Sequence, residues 1–450
     1  MLADVEITGR YRAISARQIA NDPRFGALPA EARRGVEVLS HVLPFRTNSY
    51  VLDLIDWAAA PDDPIFQLTF PQAEMLTPGE FRKLSGLIDR DLAAELKTAA
   101  NEIRLRMNPH PAGQKTHNVP RLHGRPLEGL QHKYRETVLY FPAQGQTCHA
   151  YCTYCFRWPQ FVGMPGLKFE ARTSSDLTAY LAEHTEVTDV LVTGGDPMIM
   201  KSAALRAHLE PLLRPEYAHV QSIRIGSKAL AYWPQRFVTD DDADDLLRFF
   251  SQVVASGRHL ALMAHFSHPR ELSTELVREA IARIRSTGAE IRMQAPLVRA
   301  VNDDSAIWSE MWRTGVRLGL VPYYMFVERD TGPKNYFEVP LARAYQIYRD
   351  AYQQVSGLAR TVRGPSMSAM PGKVRVLGVQ TVGSEKVFVL DLLQARNPLW
   401  VGRPFFARFN PRATWFDQLE PALGEDHFFF EGVRERTPEE KRLLALPVAS

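Results

Sequence analysis

Apolar runs alternate with helical patterns along the middle of the chain. Six short, largely apolar runs typical of strands follow residue 135, and stretches with helical spacing separate them. This alternation predicts an α/β fold in which crossover helices join parallel strands. Six strands with six crossovers indicate a partial, open (β/α)6 TIM barrel. The runs are TVLYFP (137–142), TDVLVT (188–193), QSIRIG (221–226), HLALMAH (259–265), EIRMQA (290–295) and LVPYYMF (320–326).

The pattern changes on both sides of this barrel region. Amphipathic spacing in AEARRGVEVLSHVL (30–43) and LIDRDLAAELKTAANEIRLRM (87–107) predicts a helical N-terminal region, which ends in a Pro- and Gly-containing linker over 108–129. Downstream, VRVLGVQTVGSEKVFVLDLL (374–393) alternates like a hairpin, and TPEEKRLLAL (437–446) predicts a short helix. We therefore predict three regions: a helical region over 1–134, the barrel over 135–345 and a small C-terminal region over 346–450.

Composition and charge narrow the range of partners. The chain has 450 residues, 45% of them hydrophobic, and a net charge of +3 without a block of like charges. Such a chain buries a large core and lacks the charge pattern of a nucleic-acid or membrane surface, so small polar ligands are expected. The first twenty residues contain acids and no apolar core, and no run of eighteen apolar residues follows. We expect a cytoplasmic protein.

The three cysteines of the chain stand within eight positions, in QTCHAYCTYCFRW (146–158). The spacing C-x3-C-x2-C suits a [4Fe-4S] cluster that is held by Cys148, Cys152 and Cys155 and leaves one iron open. An open iron is what reductive cleavage of S-adenosylmethionine (SAM) to a 5'-deoxyadenosyl radical requires. A zinc site would need a fourth ligand such as His149, which is poorly placed in the loop. A redox dithiol and three unrelated buried thiols remain alternatives.

Polar and glycine-rich residues follow the predicted strands, at the end of a barrel where chemistry is expected. The second strand leads into TGGDP, where Gly194 and Gly195 allow close backbone approach to a ligand and Asp196 can accept a hydrogen bond from an ammonium. An ordinary βα turn is the alternative. The third and fourth strands end near Ser227 and near His265 and His268, which could line a ligand site or be structural. The amide of Gln294 at the end of the fifth strand could form a hydrogen bond to SAM, or it could form a buried hydrogen bond within the strand end.

The cysteine loop resembles the CxxxCxxC signature of radical SAM enzymes, and GGD after the second strand resembles their element for the methionyl amine of SAM. Further segments resemble the lysine 2,3-aminomutase-like family in the same order over residues 50 to 375. They are DDPIFQLTFPQAEM, HKYRETVLYF, VTGGDP, RIGSKALAYWPQRF, AHFSHP, QAPLVRAVNDD and PYYMFVERD. Gly194, Gly195, Asp196, Ser227, His265 and Gln294 are accordingly the expected SAM-binding residues.

This resemblance implies a second cofactor, pyridoxal 5'-phosphate (PLP). The counterpart of the family's PLP lysine is Lys373 in SMSAMPGKVRVLG, where Gly372 alone remains of the family's glycine run. A lysine that bonds PLP must be neutral, so we expect its amine to be desolvated. For the phosphate, the family places basic residues just before the first strand. Lys133 and Arg135 are candidates, whereas Thr137 stands where an arginine is common.

The resemblance also implies a substrate site. Family members hold the substrate α-carboxylate with an arginine two places after the last cysteine, which is Arg157 here. Lysine-specific members offer two aspartates to the distal ammonium, and Arg329 and Ser366 occupy those places, with Asp330 adjacent to the first. A cationic side chain would be repelled by Arg329, so an acidic or neutral amino acid fits better than unmodified lysine. A one-residue gap would restore Asp330.

We therefore expect a radical SAM, PLP-dependent 2,3-aminomutase that moves the amino group of a free α-amino acid from C2 to C3. It would require a reducing electron donor, and the family likeness suggests a homo-oligomer. One alternative is a radical SAM enzyme of the same fold that lacks PLP and directs the radical to another rearrangement or hydrogen abstraction. A non-catalytic iron–sulfur or zinc regulatory protein is a second alternative, against which the intact GGDP argues.

Overall fold

The computed structural model describes residues 10–108, 117–164 and 168–431. The strands within them are β1 (Ala13–Ser15), β2 (Arg46–Asn48), β3 (Arg121–Leu122), β4 (Arg125–Pro126), β5 (Leu130–Tyr134), β6 (Thr137–Tyr140), β7 (Asp189–Val192), β8 (Ser222–Ser227), β9 (His259–His265), β10 (Glu290–Leu297), β11 (Val321–Val327), β12 (Arg363–Ser368), β13 (Gly372–Val382), β14 (Glu385–Ala395) and β15 (Phe405–Arg408). The helices are α1 (Ala16–Ile19), α2 (Pro23–Gly26), α3 (Ala30–Leu39), α4 (Ser49–Leu54), α5 (Pro64–Thr69), α6 (Pro78–Asp89), α7 (Ala93–Arg106), α8 (Ser175–Glu183), α9 (Ser202–Leu209), α10 (Ala229–Tyr232), α11 (Ala243–Ala255), α12 (Glu275–Ser286), α13 (Ser305–Arg317), α14 (Lys334–Phe337) and α15 (Leu341–Gln353).

Strands β5 to β15 form one sheet in which spatial neighbours are also neighbours in the chain. Strands β6 to β12 run parallel, and at least one helix stands in each connection between them. Strand β5 is antiparallel to β6 at one edge, and β13 to β15 continue antiparallel from β12 at the other. The predicted α/β fold with a partial barrel is confirmed.

All six predicted runs form parallel strands, β6 to β11, and the structure adds a seventh, β12. The sequence of β12, RGPSMS, contains Gly364 and Pro365 and no β-branched residue, so its composition favours a turn. The strand nevertheless lies almost entirely buried between β11 and β13. Its pairing with both neighbours decides its conformation, which local propensity does not predict.

The N-terminal region is largely helical, as predicted, with one difference. The amphipathic stretch 87–107 does not form one helix, because α6 ends at Asp89 and α7 starts at Ala93. Asp91 between them has a φ of +54°, a left-handed conformation that interrupts a helix. The same hydrophobic core contains residues of this region and residues of the barrel, such as Phe66 and Ile291.

The C-terminal region contains the predicted hairpin. Strands β13 and β14 pair antiparallel down to Val382 opposite Glu385. A second, smaller core covers this hairpin, and Phe428 and Phe430 pack there against Phe405 and Phe416. The aromatic residues of the segment HFFFEGV (427–433) that lie in the described part of the chain therefore pack internally.

The three-region division remains a prediction, and α15 and β12 continue the strand and helix alternation beyond residue 345. The predicted helix over 437–446 and part of the predicted linker, 109–116, lie outside the described residues. The described part of that linker contains the short hairpin of β3 and β4. No helix in the described ranges is both long and apolar enough to cross a membrane.

Candidate functional site

The cysteine loop leaves β6 and lies at the carboxyl end of the parallel sheet. Backbone bonds to the N-terminal region hold it: the Tyr151 amide donates to the Arg46 carbonyl and the Thr153 amide to the Leu68 carbonyl, both at 2.9 Å. The Arg46 guanidinium also donates to the Cys148 carbonyl at 3.0 Å. The N-terminal region therefore fixes the shape of the loop that carries the three thiols.

The three thiols lie close enough to influence one another. Burial, with a smaller contribution from the neighbouring Cys152, raises the pKa of Cys155 to about 12. Burial and the other two thiols also raise the pKa of Cys148 well above its usual value. Iron coordination would remove the thiol protons, so these pKa values describe the protein without iron.

A multi-iron cluster fits the loop better than one zinc ion does. Among the described residues, no three His, Cys, Asp or Glu side chains converge as ligands of a single ion. A [4Fe-4S] cluster takes each thiolate on a different iron, so its thiolates need not converge on one point. The Nε2 atom of His149, the candidate fourth zinc ligand, is 3.1 Å from Asp196 Oδ2. These arrangements favour the cluster.

The turn after β7 packs directly against the cysteine loop. A Cβ atom on Gly195 would lie 2.3 Å from the Thr147 carbonyl oxygen, and one on Gly194 would lie 2.2 Å from the Gln146 side chain. Gly194 also has a φ of +158°. Close contact with the cysteine loop is therefore sufficient to require glycine at both positions. Their role in SAM binding remains a prediction.

The Asp196 carboxylate is buried and fully engaged within the protein. It accepts hydrogen bonds from the Ser227 hydroxyl at 2.8 Å and from the backbone amides of Lys228 at 2.8 Å and Met198 at 2.9 Å. Although burial works against ionisation, these donors and His149 hold the pKa of Asp196 below its usual value. To bind SAM, Asp196 or Ser227 would have to exchange a partner.

His265 and Gln294 form a second pair at the ends of β9 and β10. Their Nε2 atoms are 3.0 Å apart, and His265 is opposite Gln294 in the strand pairing. Burial lowers the pKa of His265 to about 4, so the ring is neutral at physiological pH. His268 has a structural role in this arrangement, because its Nδ1 accepts from the Arg270 amide at 3.2 Å.

Lys373 extends from β13 among residues of four barrel strands. Its amine lies 4.2 Å from the ring centroid of Tyr324 on β11. Burial, with smaller contributions from Arg224 and Arg363, lowers the pKa of Lys373 to about 7. An amine that is neutral near pH 7 meets the requirement for bonding PLP. The Gly372 before it has a packing reason, since a Cβ there would lie 2.1 Å from the Gln394 carbonyl oxygen.

The residues considered for binding the PLP phosphate lie in different places. Lys133 on β5 donates to the Ala369 carbonyl in the turn that leads to Lys373. Burial and the nearby Arg396, Arg329 and Lys373 lower the pKa of Lys133 to about 7. Arg135 is exposed at the turn between β5 and β6, away from this group. Thr137 donates its hydroxyl to Asp189 at 2.8 Å.

Arg157 and Arg329 approach the same aromatic ring. Their guanidinium carbons lie 5.2 Å and 5.4 Å from the Phe156 ring centroid. Arg157 Nη1 is buried without a hydrogen-bond partner among the described residues, and burial lowers the pKa of Arg157 to about 10. Two guanidinium groups, each with a buried nitrogen that has no hydrogen-bond partner among the described residues, can bind carboxylates here.

The other predicted substrate residues are also buried. Asp330 Oδ1 is 3.8 Å from Arg329 Nε, an ion pair in which neither atom makes a hydrogen bond to the described residues. The Ser366 hydroxyl on β12 likewise has no partner there. Glu328 was not among the predicted residues, and burial raises the pKa of its carboxyl well above its usual value. The run of three charges at the end of β11 was the signal for it.

A cavity of about 850 Å³ opens beside this group. Arg329 and Asp330 line it together with Arg396, and aromatic residues of the C-terminal region, including Trp400 and Trp415, form another wall. The cavity therefore leads from the surface to the residues predicted to contact substrate.

Two further groups near the cluster were not predicted as site residues. Lys228 forms a buried ion pair with Glu271 at 2.7 Å, and its amine lies 4.3 Å from the Tyr232 ring centroid. The Tyr232 hydroxyl has no oxygen or nitrogen partner in the described ranges and lies beside Cys152. Only the three-dimensional contacts connect these residues with the cysteine loop.

Comparison with known proteins gives a consistent set of relatives. The chain is 32% identical over 406 residues to a protein of Aquifex aeolicus described as "Putative L-lysine 2,3-aminomutase", and the match covers 90% of this chain and 96% of that one. It is 27% identical over 357 residues to the L-lysine 2,3-aminomutase of Escherichia coli, covering 75% and 99% of the two chains. The L-lysine 2,3-aminomutase of Clostridium subterminale matches at 25% over 330 residues, covering 73% and 68%.

A search with protein-family models found no match. Among solved structures, a radical SAM methyltransferase from Sphaerobacter thermophilus is similar with a TM-score of 0.33 and 17% identity, covering 52% of this chain and 68% of that one.

Proposed function

The chain belongs to the lysine 2,3-aminomutase family of radical SAM enzymes, and we propose that it moves the amino group of a free acidic α-amino acid from C2 to C3. Aminomutases are isomerases, so a hydrogen passes from C3 to C2 in exchange and the reaction is redox-neutral overall. The proposed cofactors are a [4Fe-4S] cluster on Cys148, Cys152 and Cys155, SAM, and PLP on Lys373.

The observation that carries the proposal is the environment of Lys373. The amine is buried over Tyr324, and its pKa of about 7 leaves much of it neutral at physiological pH. No carboxylate in the described part of the chain lies within ion-pair distance of it. A structural lysine inside a protein is normally paired, so this unpaired, neutral amine supports a covalent role.

The cofactors divide the chemistry between them. When bound, the cluster and SAM would supply a radical that removes hydrogen, and PLP would stabilise unpaired electron density next to the migrating nitrogen. The protein itself keeps the amine of Lys373 neutral and orients the substrate. It also excludes water with the aromatic residues of the cysteine loop, of which Tyr154 is buried.

Two arginines support an acidic substrate. Arg157 would bind the α-carboxylate, as the family resemblance implies, and Arg329 would bind the side-chain carboxylate. Both flank Phe156, and Arg157 retains an unused buried nitrogen. Asp330 is 3.8 Å from Arg329 and offsets part of its positive potential without forming a hydrogen bond. A lysine side chain would bring a third cation to this group, at a Coulomb cost that burial increases.

The test is an anaerobic assay of the reconstituted protein. The cluster is rebuilt, SAM, PLP and dithionite are added with glutamate, aspartate, alanine, glutamine and lysine, and 5'-deoxyadenosine and β-amino acids are measured by mass spectrometry. The expected result is a β-amino acid from an acidic substrate, lost in Lys373→Ala and retained in Lys386→Ala, which alters an exposed lysine of the same hairpin.

Two outcomes would contradict the proposal. Deoxyadenosine without any β-amino acid, unchanged in Lys373→Ala, would favour the alternative radical SAM enzyme that lacks PLP. A β-amino acid from lysine alone would retain the aminomutase and remove the role proposed for Arg329.

A further inference from the structure

Two cations hold adjacent carbonyl groups of the turn between β12 and β13. Lys133 donates to the Ala369 carbonyl, and Arg396 Nε donates to the Met370 carbonyl at 2.9 Å. The turn continues through Pro371 and Gly372 to Lys373. Lys133 comes from one edge of the open sheet and Arg396 follows β14 near the other, so this turn is where the two edges approach.

The two cations at this turn form no ion pair in the described part of the chain, although Asp330, Asp417 and Glu431 line the same cavity as Arg396. Neither Lys133 nor Arg396 has a carboxylate within ion-pair distance there. Arg396 lies close enough to Lys133 to disfavour the charge on that amine, and Arg329 and Lys373 add to this effect. Partly buried cations without anions are costly, so the arrangement favours a bound anion.

The unused donors face an accessible surface. Arg396 Nε donates to the Met370 carbonyl, and Nη2 donates to Asn118 Oδ1 at 2.7 Å. The Nη1 group makes no hydrogen bond to a described residue. Arg396 lines the 850 Å³ cavity together with Ser368, Ala369 and Met370. An anion that enters this cavity can therefore reach Arg396 and the turn.

The position of the turn relative to Lys373 suggests which anion binds. Ser368 is directly opposite Lys373 in the pairing of β12 with β13, and the Ser368 side chain lies beside the Tyr134 hydroxyl. A small molecule that bonds Lys373 at one end can thus place an anionic group near Ser368 and Arg396 at the other. A phosphate monoester matches this site, since it carries up to two negative charges and three terminal oxygens for several donors.

We propose that Arg396, with Lys133 and Ser368, forms the binding site for the phosphate group of the aldehyde cofactor on Lys373. This inference rests on the proposed function, in which that cofactor is PLP. The family resemblance leads one to expect an arginine at position 137, where this chain has Thr137. We infer that Arg396, which follows β14, supplies the positive charge instead. Thr137 cannot supply it, because it is uncharged and bonded to Asp189.

The test compares PLP with pyridoxal, which has the same aldehyde and no phosphate. Both are titrated anaerobically into the full-length cofactor-free protein, and covalent loading is followed by absorbance and by borohydride trapping on Lys373. We expect Arg396→Gln to weaken PLP binding at least about tenfold and to leave pyridoxal binding unchanged. Arg396→Lys should recover part of the loss. Inorganic phosphate should compete with PLP in the wild type and not with pyridoxal.

Matched controls separate a phosphate contact from a structural role. Arg408→Gln removes an exposed arginine of β15 that pairs with Glu385 and should leave both affinities unchanged. Equal loss of PLP and pyridoxal binding in Arg396→Gln would show that Arg396 only shapes the turn, which overturns the inference. So would undiminished PLP binding. If the wild type loads neither compound on Lys373, the PLP half of the proposed function fails, and the inference fails with it.

Discussion

Two neighbouring regions of the candidate site differ in whether their buried charged groups have partners within the protein. We call the first the cluster side; it consists of Cys148, Cys152 and Cys155 with the Asp196 turn that packs against them. The second, the cation side, consists of Lys133, Arg157, Arg329, Lys373 and Arg396. On the cluster side the buried Asp196 carboxylate has protein partners on both oxygens. On the cation side, the buried and partly buried positive groups form no ion pair among the described residues, apart from the long contact between Arg329 and Asp330.

This difference indicates that the cluster side is a structural scaffold and that the cation side is a ligand-binding site. Satisfied buried groups stabilise one arrangement of the chain, so the cluster side is shaped before any ligand arrives. Unsatisfied buried charges reduce stability and gain from ligand binding. In the proposed function, the cation side would recognise anionic groups, namely a phosphate and two carboxylates. The following variants test this comparison, from the largest expected effect to the smallest.

Removal of a cluster thiol should abolish radical formation. In Cys152→Ala we expect iron content after reconstitution to fall and 5'-deoxyadenosine to drop to background, because two thiolates do not retain the cluster. Iron analysis, electron paramagnetic resonance and mass spectrometry measure these effects. Normal deoxyadenosine formation by this variant would rule out the cluster assignment.

Removal of the amine should eliminate the aminomutase reaction and leave the cluster intact. In Lys373→Ala we expect no covalent PLP and no β-amino acid, with unchanged iron content, because the change lies on the cation side. Absorbance and product analysis are compared with Lys386→Ala. Loss of iron in Lys373→Ala would mean that the two sides are not independent.

The two sides should respond oppositely to loss of a charge in the cofactor-free protein. Asp196→Ala leaves several buried donors unpaired, and we expect the free energy of unfolding to fall by about 3 kcal/mol. Arg157→Met replaces a buried, unpaired cation by an apolar side chain of similar length, and we expect no loss or a gain of about 1 kcal/mol. Anaerobic urea unfolding measures both values. A loss in Arg157→Met as large as in Asp196→Ala would break the comparison.

Arg329 should control the choice of substrate. In Arg329→Gln we expect kcat/KM for an acidic amino acid to fall by about 10- to 100-fold, because one charged hydrogen bond is lost. The kcat/KM for the corresponding neutral amide, such as glutamine in place of glutamate, should fall much less. Arg343→Gln, which changes an exposed residue of α15, should leave kcat/KM unchanged for both substrates. An equal loss with both substrates would assign Arg329 a structural role.

The pH dependence of PLP loading should be the smallest effect. The pKa of Lys373 is lowered to about 7, so its amine is protonated below that pH and neutral above it. Its neutral fraction should rise from about one tenth at pH 6 to about nine tenths at pH 8, and the rate of loading should rise with it and then level off. Borohydride trapping with time measures the rate. A rate that still increases near pH 10 would indicate an ordinary, solvated lysine.

The six barrel strands were predictable from short apolar runs that alternate with helical spacing, and the terminal hairpin was predictable from its alternating apolar pattern. Strand β12 was not, since RGPSMS has the composition of a turn and becomes a strand only through its two neighbours. The break between α6 and α7 was also missed, because a single left-handed residue at Asp91 leaves the helical spacing unchanged.

The sequence by itself determined the cysteine spacing, the strand-end motifs and the basic residues that indicate the chemistry. Only the tertiary structure decided which of these groups are satisfied and which are not. Asp196 and Arg157 are both charged residues in short motifs, yet one is fully bonded and the other keeps an unpaired buried nitrogen. The link between Lys133, the turn at 369–371 and Arg396 joins positions more than 200 residues apart. Burial and electrostatic interaction depend on distance in space, which local sequence patterns do not record.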